Sequence, residues 1–227
     1  MKMYVESIPW SNRILREHMA GGGRLLDIGG ADNPDRVGPL TDLFDEVVMV
    51  DPKPPKRPPP AGVRVVQGAV EHLDPQDGLY DHILLSNVLE HLENPGLALQ
   101  RVARLLAEGG RVHILSPNCE SLNRRIGLLM GVLKTIRDIS EAEVRMGHRH
   151  ALSVADVRGM IRGAGLELRE CRGVFLKPVP TPEMAAWPAE RRAAFFQIAP
   201  DVPPELCHEV YIMAERPAGR DRYAGSR

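Results

Sequence analysis

Short apolar segments alternate with helix-like segments along most of this chain, and this alternation is the feature that most restricts its fold. The strand-like segments, in order, are RLLDI, EVVMVD, VRVVQG, YDHILLSN, GRVHILSPN, LELRECRGVFL and CHEVYIMAER. YDHILLSN is almost continuously apolar, as expected of a strand that is buried on both faces. The alternation predicts an α/β fold with a doubly wound, mostly parallel sheet of seven strands.

Capping residues mark two of the helices between these strands. In NPGLALQRVARLLAEGG, Asn94 stands at the cap, Pro95 at the first helical position and Gly109 after the last turn, which predicts a helix up to Gly109. In SVADVRGMIRGAG, Ser153 and Asp156 have the spacing of a capping box. Residues 119–150, between the fifth strand and this second helix, are predicted to form a largely helical insertion.

Length and composition indicate one globular domain. A chain of 227 residues with 43% hydrophobic content is enough for one sizeable core, so we expect a single domain over residues 1–216 and a disordered tail over residues 217–227. The net charge of −1 gives no reason to expect a nucleic-acid partner. Three scattered cysteines, no apolar stretch of membrane-spanning length and no signal-peptide core predict a cytoplasmic protein without stable membrane insertion.

The polar residues that follow the strands predict where a ligand binds. In an open α/β sheet, ligands bind at the carboxyl ends of the strands. The pair Gly29–Gly30 at the end of the first strand lets the backbone approach a ligand closely. Asp51, at the end of the second strand, is placed to accept hydrogen bonds from both hydroxyls of a ribose. The alternative is a tight turn at the glycines with Asp27 capping the next helix, but two sites at this interval favour a nucleoside-bearing cofactor.

The glycine spacing argues against a dinucleotide. A pyrophosphate is held by the spacing G-x-G-x-x-G at a helix N-terminus, whereas here Gly29 and Gly30 are adjacent and Ala31 and Asn33 follow. Asp27 places a carboxylate toward the site as well. Acidity disfavours a phosphate and favours a cationic ligand, such as a sulfonium compound with an α-ammonium group.

Five motifs in this order resemble the class I S-adenosylmethionine-dependent methyltransferases. They are LLDIGGADN, VVMVDPKP, VVQGAVEHL, YDHILLSNVLEHLENP and LLAEGGRVHILSPN. The likeness covers roughly residues 20 to 175 and is strongest to the small-molecule branch that includes the quinone-biosynthesis O-methyltransferases. It implies the Rossmann-like methyltransferase fold with a helical lid inserted after strand five, and S-adenosyl-L-methionine as the cofactor, converted to S-adenosyl-L-homocysteine.

The resemblance also implies which residues contact the methionine end of the cofactor. Asp27 and Gly29 would line this end, with Gly30 and Ala31 close by. Ser86 and Asn87, at the end of the fourth strand, would pass beneath the sulfonium.

A second group of residues is implied at the adenosine end. Asp51 would bind the ribose hydroxyls and Pro52 would pack near the adenine, which Gly68, Ala69 and Val70 would border. Many relatives carry an acid at the position of Ala69, so Glu71 or a backbone carbonyl would have to bind the adenine amino group here.

Two histidines are the candidates for a general base. His91, in NVLEHLENP, follows the fourth strand at the mouth of the cofactor site, and a structural role between loop and helix is its alternative. His148, in RMGHRH, corresponds to a Gly-His-Arg stretch that closes over the active site in relatives, and an exposed polar loop is the alternative there. A histidine titrates near working pH and can remove a proton from a hydroxyl acceptor. No His, Cys or carboxylate group has metal-ligand spacing, so no metal is predicted.

The insertion allows two interpretations. Apolar residues recur at helical spacing at Ile126, Leu129, Met130, Leu133 and Ile136. A lid helix over the acceptor pocket is favoured, and a basic amphipathic helix resting on a membrane surface is the alternative. An anionic acceptor would suit the nearby arginines, which are Arg124, Arg125, Arg145 and Arg149.

The sequence therefore predicts a methyltransferase that acts on an oxygen of a small-molecule acceptor, with a homodimer as one further expectation. Three other classes remain. A nucleic-acid methyltransferase lacks support because SNVLEH stands where an Asn/Asp-Pro-Pro-aromatic motif would be expected. The glycine spacing argues against a nicotinamide-dependent oxidoreductase. A non-catalytic S-adenosylmethionine-binding protein would differ from the favoured prediction only in lacking activity. Transfer to nitrogen or carbon would differ only in the acceptor atom.

Overall fold

Seven strands form one mixed sheet in the computed structural model, which describes residues 2–19, 21–31 and 33–218. The strands are β1 (Arg24–Ile28), β2 (Glu46–Asp51), β3 (Val63–Gln67), β4 (Tyr80–Ser86), β5 (Leu106–Pro117), β6 (Glu167–Phe175) and β7 (Glu209–Glu215). Their order is β3-β2-β1-β4-β5-β7-β6, and β7 alone runs antiparallel to its neighbours. The predicted α/β fold with seven strands is confirmed.

Helices flank the sheet, but they are unevenly distributed along the chain. They are α1 (Lys2–His18), α2 (Pro95–Leu105), α3 (Leu122–Leu129), α4 (Glu141–Met146), α5 (Val154–Gly163), α6 (Thr181–Ala185) and α7 (Ala189–Gln197). Among the described residues between β1 and β2, the helical structure consists of the 3-10 turns Pro34–Arg36 and Gly38–Leu43. Proline at residues 34 and 39 and glycine at residue 38 disfavour a longer helix there.

The core lies on both faces of the sheet. One cluster contains Leu26, Val48 and Ile83, and the other contains Leu25, Val47 and Leu84. Because adjacent residues of a strand point to opposite faces, each central strand contributes to both clusters. This arrangement explains why residues 83–85 in the middle of β4 are a continuous apolar run.

The structure confirms the predicted start of α2 and corrects its end. The Asn94 side chain accepts a hydrogen bond from the Leu97 amide (3.0 Å), with Pro95 next in the chain. The helix ends at Leu105 rather than at Gly109. Residues from Leu106 onward join β5, because Leu106 pairs with Tyr80 of β4 before an irregularity in the register. Long-range strand pairing thus overrides the local helix signal.

The insertion is less helical than the sequence predicts. Helix α3 ends at Leu129, and α4 begins only at Glu141. Gly131 has a φ of +71° in the connection, a conformation that a helix does not use. Leu133 and Ile136 therefore lie outside α3, and the single amphipathic helix expected over these residues is not formed. The lid role of the insertion remains a prediction.

Two further expectations concern the chain ends and the membrane. Residues 219–227 of the predicted disordered tail lie outside the described residues. None of the helices within residues 2–218 has both the length and the apolar character needed to cross a membrane. At the tip of the insertion, however, Leu129, Met130 and Val132 are 89%, 72% and 73% exposed.

Candidate active site

Asp27 lies near the carboxyl end of β1 and is almost fully buried, with 2% of its surface exposed. Burial raises the pKa of this carboxyl to about 7, the charge of Arg36 acts in the opposite direction, and Asp51 adds to the increase. A carboxyl with this pKa is ionised only in part at neutral pH. A cationic ligand nearby would favour its ionised form.

The glycines after β1 are needed for contacts within the protein. A Cβ atom added to Gly29 would lie 2.7 Å from a methyl carbon of Val88, and one added to Gly30 would lie 2.9 Å from the terminal methyl of Met49. Gly29 also has a φ of +79°. From the sequence, we interpreted these glycines as allowing the backbone to approach a ligand. Close packing within the protein is a second reason why glycine is required at both positions. Gly68 differs, because a Cβ there would meet nothing within 4 Å.

Asp51 connects the loop after β1 to the end of β2. Its Oδ2 accepts a hydrogen bond from the Ala31 amide (3.1 Å), and its Oδ1 accepts one from the Lys53 amide (2.8 Å). An ionised carboxylate accepts up to about four hydrogen bonds, so it has capacity for two more donors. The amide of Gly68 donates to the Asp51 carbonyl (2.9 Å), which brings the end of β3 to the same place.

The other residues predicted to contact the adenosine end of the cofactor lie around Asp51. Gln67 donates from Nε2 to the Pro52 carbonyl (3.3 Å), so the chain after β2 lies against the end of β3. Ala69 is half-buried, and Val70 is packed into the core as the first residue of a 3-10 turn. The side chain of Val70 is thus directed into the core.

At the end of β4, Ser86 and Asn87 contact residues that the sequence analysis did not identify. Arg36, only 4% exposed, donates to the Ser86 hydroxyl. Asn87 has a φ of +53° and donates from Nδ2 to Oε1 of Glu209 (3.3 Å) at the start of β7. A positive φ in a residue other than glycine is uncommon and occurs often at functional sites. Nothing local in the sequence marks Arg36 or Glu209 as buried.

Glu90 is a second buried acid that the sequence analysis missed. It is 1% exposed, and its Oε2 has no hydrogen-bond partner among the described residues. Burial raises its pKa to about 8, and the charge of Glu209 contributes to the increase. The carboxyl is therefore largely protonated at neutral pH in the absence of a ligand.

The structure brings together the two histidines predicted as candidate bases. The amides of Arg149 and His150 donate to the Glu90 carbonyl (2.8 and 3.2 Å), which docks the end of the insertion on the turn after β4. The rings of His91 and His148 then meet edge to face, with centroids 4.8 Å apart. Burial lowers the pKa of His148, and the neighbouring His91 lowers it further, so its imidazole is neutral at pH 7.

In the folded chain, three side chains that can act as metal ligands come together, although their spacing in the sequence does not indicate a metal site. One ligand atom each from Glu90, His91 and His148 lie within 4.8 Å of one another. Three such ligands with an open position are typical of a catalytic divalent-metal site. The prediction that no metal binds is therefore open to test at these three residues.

Among the histidines that the sequence does not assign to the site, His82 and His113 have buried structural contacts. Nδ1 of His82 and Nε2 of His113 lie 2.8 Å apart, and Nδ1 of His113 lies 2.9 Å from the Tyr211 hydroxyl, in a buried chain across β4, β5 and β7. His72 is exposed. His208 is the exception, because its Nδ1 is buried without a partner among the described residues.

Comparison with known proteins identifies the class. The sequence model described as a methyltransferase domain matches residues 8–170. Because this match covers most of the chain, the protein belongs to that family of methyltransferase domains. No curated protein sequence matches the chain significantly.

Solved structures share the fold at low sequence identity. A Burkholderia thailandensis 1,6-didemethyltoxoflavin-N1-methyltransferase, solved with S-adenosylhomocysteine, is 19% identical at a TM-score of 0.58, with 93% of this chain and 78% of that chain covered. An S-adenosylmethionine-dependent methyltransferase from Mesorhizobium loti is 14% identical at a TM-score of 0.59, with 90% of this chain and 96% of that chain covered. The [4+2]-cyclase SpnF is 15% identical at a TM-score of 0.62, with 92% of this chain and 81% of that chain covered. The fold therefore also occurs in an enzyme described by a different reaction.

Proposed function

We propose that this protein transfers a methyl group from S-adenosyl-L-methionine to an oxygen of a small-molecule acceptor. The observation that carries the proposal is the position of Asp51, which is held by the Ala31 and Lys53 amides at the edge where β1, β2 and β3 end. An acid fixed there fits the vicinal hydroxyls of a ribose. Membership of the methyltransferase family supports the type of reaction.

The charges around the site support this cofactor. The pair of acids Asp27 and Asp51 disfavours a pyrophosphate and favours a ligand with a sulfonium and an ammonium group. When bound, S-adenosylmethionine supplies a methyl group that its sulfonium has already activated. Asp51 would bind the ribose, Gly68 and Ala69 would leave space beside the adenine, and Asp27 would stabilise the positive charge.

The protein's own contribution to the chemistry would be alignment and proton removal. Fixing the reacting atoms in line supplies roughly 7–11 kcal/mol of the barrier reduction in favourable cases. His148, neutral at pH 7, would accept the proton of a hydroxyl acceptor at its free ring nitrogen, and His91 would hold its ring in place. General-base catalysis of this type contributes typically about 10²–10⁴-fold.

Two alternatives differ in the acceptor atom or in catalysis. The Burkholderia neighbour is described as an N1-methyltransferase, so a nitrogen acceptor is the main alternative to oxygen. The cyclase neighbour illustrates that a protein of this fold need not be described as a methyltransferase. We further propose that residues 1–216 form one domain, with the insertion covering the acceptor, and that the protein acts in the cytoplasm.

A turnover assay tests the proposal. The purified protein is incubated with S-adenosylmethionine carrying a labelled methyl group and with phenols, carboxylic acids and amines in separate reactions. Label in a phenol or an acid supports oxygen transfer, and label only in amines supports the nitrogen alternative. A folded protein that binds the cofactor and labels no acceptor class would contradict the proposed catalysis.

A further inference from the structure

Lys177 lies directly after β6 and is almost buried, with 8% of its surface exposed. Its ammonium nitrogen donates one hydrogen bond, to the Thr181 hydroxyl (3.2 Å). Within the described part of the chain, no carboxylate oxygen lies within 4.0 Å of this nitrogen. The side chain thus holds a buried positive charge, and its one hydrogen bond to the residues that the structure describes goes to a neutral group.

Such an arrangement is costly without an anion. An ammonium group has three N–H donors, and burying an ion without a counter-ion carries a large desolvation penalty. Burial lowers the pKa of Lys177 to about 8, while the charge of Glu143 acts to raise it and the charge of Arg124 to lower it. Two donors of Lys177 remain available for a ligand.

His208 presents a second unsatisfied polar atom in the same region. Its main chain is fixed, since its amide donates to the Phe175 carbonyl (2.7 Å) and its carbonyl accepts from the Asn118 amide (2.8 Å). Its ring packs edge to face on Phe175, and Nδ1 has no partner. Phe175, against which His208 packs, is two residues before Lys177, so the two side chains belong to the same part of the fold. Burial, and to a smaller extent the charge of Lys177, lower the pKa of His208, so its imidazole is neutral. With its proton on Nδ1, this ring can donate a hydrogen bond to an anion.

The neighbouring charged groups are already engaged. Arg124 donates to the carbonyls of Cys119 (3.1 Å) and Ile136 (3.0 Å) and to Oε1 of Glu143 (3.2 Å). Glu143 also accepts from the Ser140 amide (2.7 Å). These contacts hold the insertion together. Among the described residues, Lys177 keeps two N–H donors without a partner.

Three of the arginines that the sequence analysis considered for binding an anionic acceptor lie on the surface of the protein. Arg125 pairs with Glu120 (3.7 Å) and Arg145 with Glu141 (3.5 Å) on the surface, and Arg149 is exposed.

The candidate base His148 is joined to this region by hydrogen bonds. Its amide donates to the Glu143 carbonyl (3.0 Å), and Arg124 links Glu143 to Cys119, the residue after Asn118. Because the His208 carbonyl accepts from the Asn118 amide, the pair Lys177 and His208 lies beside the start of the insertion that ends with the proposed base.

We propose that Lys177 and His208 bind a carboxylate of the methyl acceptor and so direct the rest of the molecule toward His148. This inference rests on the proposed methyltransferase function and narrows its substrate class to small molecules that carry an acid. The acid forms an ion pair with the Lys177 ammonium and accepts a hydrogen bond from Nδ1 of His208.

Matched acid and amide probes test this site. The full chain, saturated with S-adenosylhomocysteine, is titrated calorimetrically with benzoate and with benzamide, and then with hexanoate and hexanamide. We expect each acid to bind about tenfold more tightly than its amide, as a charge-assisted hydrogen bond allows. Lys177→Met should abolish this preference, and Lys177→Arg should retain most of it. Lys134→Met removes an equal charge from the exposed part of the insertion and should leave the preference unchanged.

The outcomes separate this inference from the proposed function. Equal responses to acid and amide in the natural protein, including no response to either, would overturn the carboxylate site. A preference that survives Lys177→Met would overturn it as well. The affinity for S-adenosylhomocysteine is measured in every variant and should not change. Loss of that affinity in the natural protein itself would contradict the proposed cofactor, whether or not the acids bind.

Discussion

The imidazole rings of His91 and His148 meet edge to face, 4.8 Å apart, although one follows β4 and the other ends the insertion after β5. The backbone of Glu90, which accepts hydrogen bonds from the amides of Arg149 and His150, holds the two segments together. The contact places two candidate catalytic groups beside a buried acid. It is the basis of the first prediction.

His148→Ala should lower turnover far more than cofactor affinity, because the side chain is assigned to the acceptor's proton. We expect a loss of about 10²–10⁴-fold in kcat, measured with whichever acceptor the turnover assay identifies. Since the base form is neutral and the pKa lies below 6.5, kcat should be level above pH 7 and fall in acid. His72→Ala, at an exposed histidine, is the control. If His148→Ala keeps full activity, His148 is not the general base.

Asp51→Ala should weaken binding of S-adenosylhomocysteine by about tenfold or more, because the carboxylate is assigned to the ribose hydroxyls. Calorimetry measures the affinity, and circular dichroism verifies the fold. The control is Asp74→Ala, which removes an exposed carboxylate that, like the half-buried one of Asp51, accepts a hydrogen bond from a backbone amide (2.9 Å). Unchanged affinity in Asp51→Ala would remove the ribose assignment.

Asp27 should make cofactor affinity depend on pH. Its carboxyl, with a pKa of about 7, ionises between pH 6 and pH 8, and the ionised form attracts a cation. Binding of S-adenosylmethionine should therefore tighten over this range by at most about tenfold. Asp27→Asn should bind more weakly at pH 8 and show little change with pH. An equal pH dependence in both proteins would contradict this role for Asp27.

Glu90 should make the protein less stable as the pH rises. The folded state keeps the proton of this carboxyl up to a pKa of about 8, whereas the unfolded chain loses it near 4.5. The free energy of unfolding that this group contributes is complete below pH 4.5 and is lost as the pH rises to about 8. Glu90→Gln cannot ionise and should lose less stability between pH 6 and pH 8, as measured by urea unfolding. Glu141→Gln, at a side chain that is 95% exposed, should behave like the natural protein. If Glu90→Gln shows the same slope, Glu90 is not the titrating group.

Local signals in the sequence were sufficient for much of the fold. The cap at Asn94 and the capping box of Ser153 with Asp156 depend on residues three positions apart, and the structure contains both. Apolar runs located all seven strands because burial in a sheet leaves a pattern within each segment. Asp51, predicted from its place after β2, lies at the edge expected for a ligand.

Long-range contacts decided what the sequence could not predict. Helix α2 stops at Leu105 because Leu106 pairs with Tyr80, and no residue near Leu106 signals that partner. The burial of Arg36, Glu90 and Lys177 follows from elements that meet only in the folded chain. A charged residue in a sequence is normally read as exposed, so these three residues gave no local sign of their positions.

Calorimetric titration of the full chain with S-adenosylmethionine, with a nicotinamide dinucleotide as the control, tests the central claim most directly. We predict micromolar binding of the sulfonium compound and no binding of the dinucleotide. A folded protein that binds neither compound, or binds only the dinucleotide, would contradict the assignment of the β1–β3 edge to this cofactor.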